Sequence, residues 1–239
     1  MSKHLKRLAT PKAVSIERKV AKWTMKSSPG PHSADKSIPL GIIVRDYLSL
    51  CDTRSEAKKI VSSGAVLVDN VARKDIKFPC GLMDVISIPK TNRSYRVMFD
   101  RRGKLTLIPL KKGEEKWKLC RIENKTIIRG GKTQLNLHDG RNLVVDKDQY
   151  KSGDSLKLSL SDNKIMDTYK LDNGFTALIT GGGHVGEIAK IEEIKIVRSS
   201  KPNTVLLSAK NEKFSTIKDY VFPVGKDSPV ITLPEVKIE

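Results

Sequence analysis

The chain has 239 residues, with 45 Lys and Arg against 27 Asp and Glu and a net charge of +18 at neutral pH. Charge of that size points to a polyanionic partner, and without an apolar run of about 18 residues or a secretory h-region the expectation is an intracellular protein rather than a membrane one. Cys51, Cys80 and Cys120 are odd in number and far apart, which speaks against a disulfide framework or a zinc knuckle and leaves them as small buried hydrophobes.

Residues 1–36 read as a basic arm. Lys3, Lys6, Arg7, Lys12, Arg18, Lys19, Lys22, Lys26 and Lys36 meet only Glu17 and Asp35 there, and Pro11, Pro29 and Pro31 interrupt any long helix. Such a segment buries too little to offset its ordering entropy, so alone it is expected to be mobile and to order on a polyanion. His4, Trp23 and His32 add rings that can stack on bases.

From residue 37 to 93 the pattern is compact. Ile42, Ile43, Val44, Tyr47, Leu48 and Leu50 recur at helical spacing, with Arg45 and Asp46 turned outward. Thr53 to Glu56 form a capping box, Ala57, Ile60 and Val61 make the apolar stripe of the next helix, and Gly64 is placed to end it. Ala65 to Val68 follow as a strand, Asp69-Asn70 as a turn, and Val85 to Ile88 as a second strand. From about Ser94 short strands alternate with Asp-Gly and Asn-Gly turns: 95–99, 105–109, 126–128, 134–137, 142–145 and 155–160. The strands continue from Phe175 to Val197 and from Val205 to Phe222. The fold class is therefore α+β and multidomain: a basic N-terminal arm (1–36), a small helical module with a hairpin (37–93), a central β-rich domain (94–170) and a C-terminal β domain (171–239), the last two as small barrels.

The run Arg54-Ser55-Glu56-Ala57-Lys58-Lys59-Ile60-Val61-Ser62-Ser63-Gly64-Ala65-Val66-Leu67-Val68-Asp69 resembles the S4 RNA-binding module, a helix–turn–strand unit of ribosomal proteins, pseudouridine synthases and tyrosyl-tRNA synthetases. Arg54, Lys58, Lys59, Arg73 and Lys74 are its candidate phosphate contacts. Gly181, Gly183 and Gly186 satisfy G-x-G-x-x-G, but no acidic residue follows about twenty positions on and 187–193 is short for a crossover helix. The same stretch, 178–191, resembles a KOW hairpin with Gly186 at its characteristic glycine. Gly130-Gly131-Lys132-Thr133 lacks the first glycine of a P-loop and reads as a turn. His4, His32, His138 and His184 show no metal-ligand spacing.

Arm, S4-type module, β-rich centre and KOW-like hairpin occur in the order of the S4e family of small-subunit ribosomal proteins, of archaeal and eukaryotic type. Local runs carry the same resemblance: 4–8, 28–32, 45–48, 77–86, 134–140 and 219–222. It implies a non-enzymatic structural component of the cytoplasmic small ribosomal subunit, without cofactor, metal or small-molecule substrate. The implied partners are small-subunit ribosomal RNA and neighbouring ribosomal proteins. The candidate RNA contacts are Lys3, His4, Lys6, Arg7, Lys12, Arg18, Lys19, Lys22, Trp23, Lys26, His32, Arg45, Arg54, Lys58, Lys59, Arg73 and Lys74. Ala13-Val14 and Val20-Ala21 depart from the family pattern, where an aromatic and a Gly-Gly pair are expected. Two alternatives are an RNA-modifying enzyme, with Lys170-Leu171-Asp172 the nearest approach to a pseudouridine-synthase run, and a free RNA-binding regulator.

Overall fold

The structure, a computed structural model, describes residues 4–146, 148–209 and 212–233. The chain divides into two compact units, 1–98 with 104–118 and 99–103 with 119–239.

The first unit starts with the arm, which is docked rather than loose. Leu5–Lys6 pairs antiparallel with Trp23–Thr24. Val14 and Met25 are buried, and the Leu105 N–H donates to the Ala13 carbonyl at 2.7 Å. The Ser15 N–H donates to the Tyr47 hydroxyl at 2.8 Å, which itself donates to the Leu105 carbonyl at 3.1 Å. Burial pushes that phenol up to about 12, against the pull of the Ser15 hydrogen bond. The expected mobility is thus corrected: Ala13, Val14 and Met25 are few but fully used, and each anchors a stretch of backbone to the module.

The helical spacing at 42–50 yields a short helix, Leu40–Ile42, that widens into a π-type turn over Ile43–Tyr47. The Leu48 N–H reaches back to the Ile43 carbonyl at 2.9 Å, and Ser49 at φ +50° ends the segment, so Leu50 stays partly exposed. Helix Arg54–Ser62 forms as its ends dictate. Glu56 N–H donates to Thr53 Oγ1 at 3.2 Å and Thr53 N–H to the Glu56 carboxylate at 3.3 Å, while Gly64 takes φ +76° after it. Ala57 and Val61 are the buried residues of this helix. Asp69 and Asn70, both at positive φ, turn Leu67–Val68 into Val71–Ala72. A five-stranded sheet follows in the order 71–72, 67–68, 85–88, 93–99, 105–109. The cut expected at residue 93 therefore runs through a sheet, because Arg93–Phe99 takes its hydrogen bonds from Val85–Ile88. The change of pattern at Ser94 marks a new strand, not a new body.

The second unit holds two five-stranded antiparallel sheets, ordered 142–145, 133–137, 117–127, 155–159, 165–169 and 212–217, 204–209, 188–195, 176–179, 221–225. Strict alternation over Thr133–Leu137 buries Thr133, Leu135 and Leu137. With Cys120, Ile122, Leu156 and Leu158, the two leucines close one core; Ala177, Ile179, Ala189, Ile191, Val205, Leu207 and Val221 form the other. Pro223 is tolerated because Val221–Gly225 is an edge strand.

Candidate nucleic-acid interface

The positive charge is unevenly shared. The first unit carries 24 Lys and Arg against 10 Asp and Glu, the second 21 against 17. In the second unit many cations already face acids: Lys125 lies 2.7 Å from Asp148, Lys132 2.9 Å from Asp146, Lys213 2.9 Å from Glu192 and Arg121 2.6 Å from Glu123. In the first unit Lys6, Lys12, Lys19 and Lys22 are exposed and have no carboxylate partner among the described residues.

The fold brings part of the arm to the capped helix. His4, Trp23, Lys26, Arg54 and Lys77 line a cleft of about 360 Å3. Trp23 is 52% exposed, its ring tilted against His4 with centroids 5.8 Å apart, and the Lys22 ammonium lies 5.4 Å from the Trp23 centroid. Arg54, at the start of its helix, is exposed, as are Lys58 and Lys59 on the same helix and Lys74 beyond the hairpin. An exposed aromatic ring among cations can offer a stacking face and phosphate contacts together. Lys77 was not among the sequence candidates. Its signal was weak, a single Lys after Asp75 and Ile76, and only the docking of Ser28 N–H on its carbonyl at 2.9 Å shows that the arm passes there.

Several other candidates face inward. Arg7 is buried; its Nε donates to the Glu17 carbonyl and its guanidinium lies 4.0 Å from Asp46. Arg18 donates to the carbonyls of Leu8, Thr10 and Pro11 at 3.1, 2.6 and 3.1 Å, folding the arm around itself. Arg45 pairs with Asp46 at 2.8 Å, and Arg73 lies 4.6 Å over the Phe78 ring. The stacking role expected of His32 is corrected. Its side chain is 7% exposed, Nε2 lies 3.0 Å from Asp84, and a Cβ at Gly81 would run into the ring. Lys3 lies outside the described residues.

His32 belongs to a buried ionic centre. Lys118, fully buried, reaches Asp69 at 2.5 Å and Asp84 at 3.2 Å, and the Gly81 N–H donates to Asp84 at 2.9 Å. Burial alone would push the Asp84 carboxyl up, but His32, Lys118 and the Gly81 N–H together hold it well below the usual carboxylate range. Asp69 moves the other way, raised by burial and by the Asp84 charge.

The whole chain can be set beside known proteins. It is 51% identical over 233 residues to the small ribosomal subunit protein eS4 of Methanothermobacter thermautotrophicus, covering 97% of this chain and 96% of that one. The chain belongs to the ribosomal S4e family. The eS4 protein of Archaeoglobus fulgidus is 50% identical over 96% of this chain and 97% of its own. The crystal structure of the 30S ribosomal protein S4e from Thermoplasma acidophilum superposes with a TM-score of 0.70 at 39% identity, covering 80% of this chain and 96% of that one. Family descriptions match segment by segment: the RS4NT (NUC023) domain over 1–35, the S4 domain over 43–86 and Ribosomal family S4e over 91–165.

Within this S4e chain the other sequence motifs resolve plainly. After Gly186 comes a strand, Ile188–Lys195, antiparallel to Thr176–Ile179, so the glycine-rich run is a hairpin and not a dinucleotide fold. Gly186 sits at φ +79°, and a Cβ there would lie 2.7 Å from the Asp100 carbonyl carbon. Gly130 and Gly131 turn strand 117–127 into 133–137. Asp172, the nearest approach to a catalytic aspartate, is exposed in a loop. The fold does gather Cys120, His138 and Asp139, with potential ligand atoms within 4.8 Å of one another, although no spacing announced it. Protein groups already engage all three: Asp139 accepts from Arg141 N–H at 3.1 Å and faces its Nε at 3.3 Å, Cys120 Sγ donates to Asp139 at 3.5 Å, and His138 Nδ1 accepts from Arg121 N–H at 3.2 Å.

Proposed function

We propose that this S4e-family chain is a structural constituent of the small ribosomal subunit and binds small-subunit ribosomal RNA with the cationic side of its first unit. The observation that carries the reading is the match along almost the whole chain to proteins named small ribosomal subunit protein eS4. The charge asymmetry and the aromatic cleft support it physically, since cations without acidic neighbours are those that release counterions when phosphates arrive. Lys6, Lys12, Lys19 and Lys22 of the arm, Lys26, Arg54 and Lys77 of the cleft, and Lys58, Lys59 and Lys74 of the module form the phosphate-facing set; His4 and Trp23 offer rings. Arg7, Arg18 and His32 shape the arm instead, while Arg45 and Arg73 sit at its margin. The second unit, with its KOW-like hairpin at 178–191, fills crevices of RNA and of neighbouring ribosomal proteins. The role is binding, not catalysis, and its place is the cytoplasmic ribosome.

Sucrose-gradient sedimentation of native lysate at moderate and high salt tests this. Stoichiometric recovery with the small subunit at both salts is expected. Recovery at the top of the gradient would contradict it and favour a free RNA-binding regulator.

A further inference from the structure

The cleft between arm and capped helix has a composition that backbone binding alone does not explain. A duplex offers phosphates at its surface but keeps its base faces stacked inside, so lysines and arginines suffice to hold it. Here the rim is different. Trp23, a large apolar ring, is held half-exposed by the two-residue pairing of Leu5–Lys6 with Trp23–Thr24, with His4 beside it. Met25, the residue just after that two-residue strand, is 3% exposed and anchors it, so the ring stands on a fixed backbone and not on a loose tail. Lys26, Arg54 and Lys77 stand round the same cleft, and its volume of about 360 Å3 falls at the small end of ligand pockets, roughly 300–1,000 Å3.

We infer that this cleft receives a single unpaired nucleotide of the RNA, its base stacked on Trp23 and its flanking phosphates held by Lys26, Arg54 and Lys77. The inference rests on the RNA-binding reading above and gives it a ligand: a base extruded from a bulge or loop rather than a helix backbone. Lys22, now 5.4 Å from the Trp23 centroid, is exposed and yields its place on the ring to the base, its ammonium passing to a phosphate. Stacking is tolerant of base identity, so the site selects for an unstacked nucleotide and not for a sequence.

The test uses the full chain and two RNA hairpin stems of one sequence, identical except that one carries a single bulged 2-aminopurine and the other is fully paired. The expected result is tighter binding of the bulged stem by roughly tenfold or more, with quenching of the 2-aminopurine on binding. Trp23→Ala removes both the preference and the quenching; Trp23→Phe restores both. Because Trp23 is half-exposed, neither change threatens the core. Arg54→Ala weakens both stems alike and lowers the slope of affinity against salt by about one. Equal affinity of the wild-type chain for the two stems, with strong salt dependence, would overturn the nucleotide site and leave the RNA-binding reading standing. Binding of neither stem at low salt would overturn both.

Discussion

The two units carry nearly equal numbers of cations but differ in how many acids stand among them. The first sets 24 against 10 acids, with two of those acids, Asp69 and Asp84, buried against Lys118. The second sets 21 against 17 and spends its cations on surface pairs such as Lys125 with Asp148 and Lys213 with Glu192. Net charge summed over a chain thus hides the quantity that matters for binding, the density of cations with no local acid. In the first unit, exposed lysines of this kind, Lys6, Lys12, Lys19 and Lys22, lie on the docked arm.

The comparison can be pressed by changes that touch one unit at a time. The largest expected effect is on stability: Lys118→Met removes the cation shared by two buried carboxylates, and breaking such a centre typically costs about 3–5 kcal/mol. Hydrogen exchange should show the first unit loosening while amides of 133–137 and 176–179 keep their protection. Gly186→Ala strikes the other unit, forcing a Cβ against backbone at positive φ for roughly 1–3 kcal/mol. Chemical denaturation should register that loss while the salt dependence of RNA binding stays as it was. Acid acts again on the first unit. Asp84 is held below its unfolded value of 3.8, so its contribution is complete above about pH 4 and is lost as pH falls through the folded value. Asp69, shifted upward, softens that loss, and Asp84→Asn should flatten the acid limb of a stability–pH curve. The smallest effect is that of Lys58→Ala, one exposed phosphate contact among many, which should lower RNA affinity uniformly across sequences.

Much of the fold was legible because local rules and tertiary demands agree. Thr53 and Glu56 cap a helix wherever they fall at that spacing, and Asp69-Asn70 adopts the positive φ that a tight hairpin needs. Strand Ile165–Tyr169 escaped notice because only Tyr169 of it is buried, the mark of an edge strand with little pattern. The site was legible in kind but not in membership. A lysine in sequence reads as solvated, and nothing near Lys118 says that Asp69 and Asp84 wait for it in the core. Arg7, Arg18 and His32 look like their neighbours Lys6, Lys19 and Lys22, yet they bond carbonyls and a carboxylate that only the folded arm brings within reach. The deletion of residues 1–36, which composition alone recommends as a test, would also strip Val14 and Met25 from the core and confuse folding with binding.

The most direct measurement therefore neutralises charge and leaves the fold alone. Lys6, Lys12, Lys19 and Lys22 changed together to Gln in one variant, and Lys125, Lys132, Lys195 and Lys213 in another, remove four charges each from exposed or partly exposed side chains. The slope of log affinity for ribosomal RNA against log salt should fall by about 3 in the first variant and by less than about 1 in the second. Equal losses in the two would contradict the claim that the first unit carries the binding.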